Sequence, residues 1–304
     1  MRINITKTEN ATHFTHGGMF HADDVLATVM LSKIGSVNVA RVFKLPDSIS
    51  EGTIIYDIGS EYDPKKSRFD HHQKSAPRRG NGILYSSCGQ IWKEYATEIL
   101  LAMGCPADCT KTASAIVDKR LIVGIDAQDN GISPAENMLY ISESFSGMIN
   151  NLNPCWDEKT SSDECFLKAC DIADMIFSRE VAVAISKAKA ESIVERKINE
   201  AKNGIMVLDY FVPWTVAVLK SENEKAKDIL YVIFPSNRGG YNVQCVPDKE
   251  GSFGFRKSIP ESWKGNPNAT GVSECTFVHA SGFIMACSTF DGAVSLAEKA
   301  VSEN

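Results

Sequence analysis

The stretch that decides the fold is Ala11-Thr-His13-Phe-Thr-His16-Gly17-Gly18-Met-Phe-His21-Ala-Asp23-Asp24-Val25-Leu26-Ala-Thr-Val29-Met30-Leu-Ser-Lys-Ile34. Residues 11–16 read as a short strand and Gly17-Gly18 as a turn. Residues 23–34 read as a helix, because Val25, Leu26, Val29, Met30 and Ile34 recur at the three- and four-residue spacing of one helical face. Two β-branched runs follow, Val39-Ala-Arg-Val-Phe43 and Thr53-Ile-Ile-Tyr-Asp57, short and apolar as the buried strands of a parallel sheet are. Helical patterns at 89–103 and 109–125 continue the alternation. Strands and helices taking turns predict an α/β fold on a parallel sheet, arranged as in a doubly wound domain.

Further out the grammar changes twice. Residues 163–202 read as helix, with Phe166, Ala169, Ala173, Ile176, Phe177, Ala184 and Ala188 on or near one face and neither Gly nor Pro among them. Beyond Asn203-Gly204 the chain reads as strands at 205–208, 214–219, 229–234 and 241–246, separated by Pro, Gly and charged turns. With 304 residues there is room for more than one hydrophobic core. The expected layout is a catalytic domain over 1–162, a helical linker over 163–203 and a smaller, sheet-rich α/β domain for substrate binding over 204–304. No internal repeat or low-complexity tract argues for a solenoid.

Composition narrows the function classes. A chain with 43% hydrophobic and 23% charged residues is an ordinary globular protein. No apolar run reaches the ~18–20 residues needed to span a bilayer, so no membrane partner is expected. The start lacks both a secretory apolar core and an Arg- and Ser-rich presequence, which predicts an intracellular protein, with cytoplasm, nucleus and mitochondrion all open. The net charge of −6 excludes a generally basic surface that would attract polyanions, so any nucleic-acid contact must be local. The nine cysteines are scattered without a Cys-x-x-Cys pair, which favours reduced thiols over a disulfide framework or structural zinc.

The chemistry lies with the histidines. Of six, four fall in two aspartate-rich clusters. His16, His21 and Asp23 stand between strand and helix, at the strand's carboxyl end, where open α/β sheets bind ligands. Asp23 or Asp24 alone would also suit the first turn of a helix. Asp57 ends an apolar run, and a turn-forming acid would fit there too. Asp70-His71-His72 offers one imidazole to a metal and the next to a substrate, with the aspartate orienting an imidazole N–H. Asp126 follows a helical pattern, whereas Asp129 and Asn130 suit the turn before Gly131. Imidazole and carboxylate together suit manganese, iron, zinc or magnesium, and an open two-metal centre of this kind cleaves phosphate esters and anhydrides.

These residues also carry a resemblance. The tract Phe69-Asp70-His71-His72-Gln73 is similar to the motif that names the DHH phosphoesterase superfamily. With Thr15-His16-Gly-Gly-Met-Phe-His21-Ala-Asp23-Asp24, Tyr56-Asp57-Ile-Gly59 and Gly124-Ile-Asp126-Ala-Gln-Asp129-Asn-Gly131 the chain more narrowly resembles the Myg-type exonucleases, named after melanocyte proliferating gene one. Tyr241-Asn-Val-Gln-Cys-Val-Pro247, Ile259-Pro-Glu-Ser-Trp-Lys-Gly265 and Phe277-Val-His-Ala-Ser-Gly-Phe-Ile284 extend it over nearly the whole chain. The resemblance implies a DHH domain, a smaller substrate-binding domain and metal-dependent 3′→5′ RNA exonuclease activity. It implies that His16, His21 and Asp57 hold one ion and Asp23, Asp57, His71 and Asp126 the other, with Asp57 bridging, His72 facing the scissile phosphate and Asp70 orienting a histidine. The ions would be two per site, manganese first and magnesium second. The superfamily's commoner first motif has an aspartate where His21 stands, with one residue fewer before it.

In the second half, Arg238, Arg256, Lys257, His279, Ser281 and Gly282 are the candidates for gripping substrate. Where the family continues with a Gly-Gly pair and a basic residue, this chain has Met285-Ala286-Cys287, a bulkier run in place of a phosphate-cradling turn. The expected function is a phosphodiesterase acting on RNA or short oligonucleotides. The alternatives are a small-molecule phosphatase or pyrophosphatase using the same centre, and an idle binding protein that keeps the fold.

Overall fold

The computed structural model describes residues 3–132 and 143–303. The chain divides into two compact units, 1–186 and 187–304, with the division inside the long helix that the sequence predicts. The first unit is built on a six-stranded sheet of β1 (Ile3–Ile5), β2 (His13–His16), β3 (Val37–Val42), β4 (Ile54–Tyr56), β5 (Tyr62–Asp63) and β6 (Arg68–Phe69). Their order is β1-β3-β2-β4-β6-β5, parallel throughout except for the edge strand β5. The mixed α/β architecture and the parallel sheet are as expected, and the second unit is α/β as well.

Helix α1 (Ala22–Ile34) links β2 to β3, as the opening stretch requires. It is buried from Ala22 to Ser32 on all sides, which fits a helix that is apolar almost all round. Leu26 and Met30 are fully covered, each stabilising the unit by roughly 1.5–3 kcal/mol. The strict alternation of the doubly wound reading stops there. From β3 to β6 the chain crosses in loops and short 3-10 turns, and α2 (Ser87–Ala102), α3 (Thr110–Val117), α4 (Val123–Asp129) and α5 (Phe145–Asn150) follow the last strand of the sheet. The crossover between β3 and β4 needs no helix because Leu45 and Ile49 on it pack against Phe14, Ala40 and Ile55 of the sheet. The helical pattern at 109–125 is realised as α3, a π-turn at Asp118–Ile122 and α4, which runs on to Asp129.

Helix α6 (Ser162–Glu200) gives its last turns to the second unit. There β7 (Ile205–Val207), β8 (Tyr231–Pro235), β9 (Tyr241–Cys245), β10 (Cys275–Val278) and β11 (Ile284–Cys287) form a sheet of order β10-β11-β9-β8-β7, in which only β7 and β8 are parallel. One face packs Ile205, Tyr231, Ile233 and Val243 on Ala293, Leu296, Ala297 and Ala300 of the final helix. The other packs Met206, Val232 and Phe234 on Val194 and Ile198 of α6. The strand expected at 214–219 is instead helix α7 (Thr215–Lys220). Trp214, Val216 and Val218 alternate, but the buried pair is Trp214 and Val218, one turn apart, with the Val218 N–H donating to the Trp214 carbonyl at 2.9 Å and Val216 exposed. Pro213 just before it supplies a helix-compatible start. Helix α8 (Phe290–Ser302) completes the unit. Among the described residues no helix is long and apolar enough to cross a membrane.

Candidate metal centre

Adjacent parallel strands β2, β4 and β6 deliver their chemistry at the same edge. His16 ends β2, Asp57 follows β4, and Asp70-His71-His72 follows β6. Asp57 turns there on a left-handed backbone with φ 56°, a conformation that Asp tolerates better than most residues and that marks functional positions. Its N–H still donates to the Phe69 carbonyl at 3.1 Å, so the turn is tied into the sheet while the carboxylate faces the pocket.

That carboxylate stands between two imidazoles. Asp57 Oδ2 lies 3.3 Å from His16 Nε2, and Oδ1 lies 3.4 Å from His71 Nε2. On the first side, ligand atoms of His16, His21 and Asp57 lie within 4.8 Å of one another, and on the second so do those of Asp23, His71 and Asp129. Asp129 Oδ2 is 3.1 Å from His71 Nε2, and Asp23 Oδ2 is 3.8 Å from it. Asp57, Asp70, His71 and His72 form a third such group. An open pocket of about 940 Å³ joins them, with Gln128, Asn130, Ser144, Ser146 and Asn150 on its wall.

Each side chain is held from behind. Asp23 sits at the start of α2, where its two oxygens accept the N–H groups of Ser87 at 3.0 Å and Cys88 at 2.6 Å, a helix N-terminus being a ready seat for a carboxylate. Asp24 accepts the His21 N–H at 2.8 Å and so fastens the first turn of α1. Its other oxygen, 3.4 Å from His16 Nε2, is buried without a hydrogen-bond partner. Asp70 accepts from the His71 N–H at 2.7 Å and pairs with His72 Nδ1 at 2.6 Å, which aims the second nitrogen of that half-exposed ring away from the carboxylate. Arg41, buried on the rings of Phe20 and Phe166, donates to the Gly18 carbonyl at 2.7 Å and steadies the turn between His16 and His21.

The electrostatics are those of a site short of positive charge. Burial alone would lower the His16 pKa, yet the hydrogen bond to Asp57 and the charges of Asp24 and Asp57 raise it to about 9. Burial is likewise overruled at His71, which Asp129, Asp57 and Asp23 push up to about 11. Asp57, despite its burial, is held well below the usual carboxylate range by His16 and His71. Asp23 is driven far up by burial and by the charges of Asp57 and Asp129. Burial raises Asp24 to about 7, against the pull of His16. Among the described residues, Asp57 and Asp24 approach the buried His16 Nε2 only at 3.3 and 3.4 Å, and neither contact is a well-aligned hydrogen bond. Nitrogen and oxygen atoms without a well-aligned partner, with acids that borrow protons from histidines, fit divalent cations of the kind that take mixed imidazole and carboxylate ligands.

The structure thus brings His16, His21, Asp23, Asp57, His71, Asp70 and His72 together. It places Asp126 elsewhere. That carboxylate is fully buried, accepts from Ser86 Oγ at 2.8 Å and the Ser86 N–H at 3.1 Å, and is paired with Arg79, which forks onto Asp118 at 2.7 and 2.8 Å. Gly89 makes room for it, since a Cβ there would stand 2.2 Å from Asp126 Oδ1. Asp129, read from sequence as a turn former, is the α4 acid beside His71. The signal for it was the three-residue offset from Asp126, which puts both on one face once the helix is allowed to reach 129. Asp24, a helix-start acid by sequence, serves that role and also faces His16.

In the second unit, Arg256 donates to the carbonyls of Ile229 at 3.0 Å and Lys227 at 3.3 Å, and Lys257 donates to the Val301 carbonyl at 2.9 Å at the end of α8. Both cations are therefore engaged with backbone. Arg238 lies in the β8–β9 turn, with its N–H on Ser236 Oγ. His279, Ser281 and Gly282 form the β10–β11 turn, where His279 Nδ1 meets Ser281 Oγ at 2.8 Å and Gly282 has φ 71°.

The fold and centre define an α/β protein whose parallel sheet carries a histidine and aspartate site suited to divalent metal. The family whose description is an uncharacterised protein family, UPF0160, and whose label is MYG1 exonuclease, matches residues 12–301, and the chain belongs to it. The MYG1 protein of Schizosaccharomyces pombe is 32% identical, over 94% of this chain and 96% of its own. The human MYG1 exonuclease is 28% identical, over 95% of this chain and 85% of its own. The MYG1 protein of Dictyostelium discoideum is 29% identical, over 95% and 96%. No solved structure matches.

Proposed function

We propose that the chain is a metal-dependent phosphodiesterase of the DHH type, a nuclease that releases nucleotides from the 3′ end of RNA or short oligonucleotides. The observation that carries this is the Asp57 carboxylate, set between His16 and His71 with one oxygen toward each. The exonuclease name of the human, rat and bovine relatives supports the choice of substrate. His16, His21 and Asp57 would hold one ion and Asp23, Asp57, His71 and Asp129 the other. Asp129 takes the place of Asp126, whose carboxylate is committed to Arg79 and Ser86. Mixed imidazole and carboxylate ligation favours manganese over magnesium, which prefers oxygen ligands. Bound ions supply the charge that clamps the attacking and leaving oxygens of a phosphate ester.

The chain's own groups do the rest. Asp70 raises the His72 pKa and fixes its ring by Nδ1. That leaves the far nitrogen as a proton donor to a phosphate oxygen or leaving group. Asp23 and Asp24 are locked by helix N-terminal N–H groups, so the ligand geometry exists before substrate arrives. Residues 204–304 grip the rest of the substrate, with Arg238, His279, Ser281 and Gly282 in two hairpin turns as the surface for it.

The test is metal analysis of the purified protein, followed by assay on labelled oligoribonucleotides and on pyrophosphate with and without chelator. Metal-dependent shortening of RNA from the 3′ end is expected. Full activity after chelation would sink the metal-dependent reading. Turnover of pyrophosphate alone would turn it to a small-molecule phosphatase.

A further inference from the structure

The parallel strands in order β3-β2-β4-β6 end at one edge. Reading along that edge, β2 contributes His16, β4 Asp57, and β6 Asp70-His71-His72, while β3 contributes Phe43, the residue after Val42. The Val42 and His16 Cα atoms are paired, and the Gly17 N–H donates to the Val42 carbonyl at 2.8 Å. At about 4.8 Å per strand, Phe43 is one step along the row from His16 and two, roughly 10 Å, from Asp57.

An aromatic residue at that place is 88% exposed. A single exposed apolar residue is ordinary on any surface, but this ring has a built seat. Its edge lies on the Gly17-Gly18 turn, where a Cβ on Gly18 would come within 3.2 Å of Phe43 Cε1 and one on Gly17 within 3.5 Å of Cε2. Gly18, on a left-handed backbone, thus lets the ring rest against a turn that Arg41 steadies through the Gly18 carbonyl. Met19, in the segment that follows the same turn, is 68% exposed. Lys44, next in the chain, reaches only a loose ion pair with Asp47 at 3.8 Å, both exposed. A supported aromatic ring next to an exposed cation is the combination that binds single-stranded nucleic acid, stacking a base and meeting its phosphate.

We infer that Phe43 is the stacking platform for a base of the bound oligonucleotide, immediately outside the metal pocket. It is a positioning residue and touches no reacting atom. The inference rests on the nuclease reading and deepens it. A base held here fixes the nucleotide whose phosphate lies along the row toward Asp57, and it separates oligonucleotides from pyrophosphate, which has nothing to stack.

The test uses the full chain and six-nucleotide oligoribonucleotides carrying 2-aminopurine at the 3′ or the 5′ end, together with a version abasic at each of those positions. Stacking on the parent should quench one of the two fluorescent probes, and Phe43→Ala should abolish that quench and weaken binding roughly 5- to 100-fold. Phe43→Trp should restore both. The abasic oligonucleotide should bind parent and Phe43→Ala alike, and pyrophosphate turnover and metal content should be unchanged. An exposed side chain contributes little to folding, so the alanine variant should remain folded. If the parent binds and trims the oligonucleotide but Phe43→Ala does so equally well with the quench intact, the platform is wrong and the nuclease reading stands. If the parent holds metal but neither binds nor trims any oligonucleotide, both fall together. If Phe43→Ala changes only the sedimentation of the protein, the ring covers a second copy of the chain and the inference is overturned.

Discussion

Two clusters of acids, buried or partly so, lie in the first unit and solve the same problem differently. Asp126 and Asp118 share the guanidinium of Arg79, which is stacked on Tyr85, and burial tends to raise Asp126 while Arg79 pulls it back. Among the described residues, Asp23, Asp24, Asp57 and Asp129 form no ion pair with a lysine or arginine, although the charge of Arg41 reaches Asp24, and they draw on His16 and His71. A carboxylate with a resident permanent cation is committed to structure, because neither partner can leave without exposing the other as an unpaired buried charge. Acids balanced only by histidine can exchange protons for a metal, which is how metal affinity becomes coupled to pH. The comparison sets Asp129, beside His71, apart from Asp126, three residues earlier in the same motif and beside Arg79.

The largest effect should come from Asp57→Asn. Asparagine keeps the shape and tolerates the left-handed backbone, but it removes the charge shared by both sides of the centre. Metal content should fall together with a rate loss of several orders of magnitude, about 10³-fold or more, and the thermal midpoint of the metal-free protein should drop as well, because the pull of His16 and His71 on the ionised carboxylate is lost. Metal stoichiometry beside turnover decides it. Parental metal content and turnover in the variant would remove Asp57 from the centre.

His72→Ala should be milder and different in kind. The ring is 58% exposed at its side chain and is oriented by Asp70. Metal content should hold, and turnover should drop by the ~10²–10⁴-fold typical of a lost proton donor. A loss of metal in step with activity would make it a ligand.

The paired variants Asp126→Asn and Asp129→Asn test the contrast most directly. Asp126→Asn weakens a fully buried hydrogen-bonded pair while Asp118 still holds Arg79, so it should cost stability on the scale of one charge-assisted hydrogen bond, about 2 kcal/mol, and leave metal binding in the folded fraction intact. Asp129→Asn should do the reverse, losing affinity for one ion with little change in the unfolding midpoint. Denaturant titrations beside metal titrations give both answers, and the opposite pattern would restore Asp126 as the ligand.

Much of this centre was legible because strand, turn and helix punctuate the chain where ligands are needed. His16 and Asp57 each end a strand-like run, the Asp70-His71-His72 tract announces itself by its own composition, and a residue just beyond a parallel strand has only the sheet edge to face. The short strand β6 went unread because two residues, Arg68 and Phe69, carry no period. The choice between Asp126 and Asp129 could not be made from spacing, since it turns on Arg79, 47 positions from Asp126 and placed by tertiary structure alone. Trp214, Val216 and Val218 misled in the usual manner of short apolar runs, where alternation over six residues suits either a strand or one helical turn. The loop crossover from β3 to β4 was hidden for a related reason: Leu45 and Ile49 cover the sheet without any periodicity to announce them.

The smallest effect, and the one that isolates what the acids do to a histidine, concerns His13. It lies on the same strand as His16, three residues earlier, but no carboxylate among the described residues faces it, and its Nδ1 meets Thr12 Oγ1 at 2.8 Å. Burial therefore acts unopposed and pushes its pKa down from 6.5 to about 4, whereas the acids around His16 carry that ring up to about 9. Between those two His13 values the unfolded chain binds a proton that the folded chain refuses. Folding stability from this group is accordingly complete above pH 6.5 and is lost as the pH falls toward 4. The shift is worth at most about 3 kcal/mol. Other groups titrate in the same window, so the measurement is a difference: denaturant stability of the parent and of His13→Gln, both metal-free, at intervals from neutral pH downward. The gap between the two curves should change across the acid window and be flat above it. A constant gap would mean that His13 is protonated as readily in the folded chain as in the unfolded one, and that burial on β2 does not by itself distinguish it from His16.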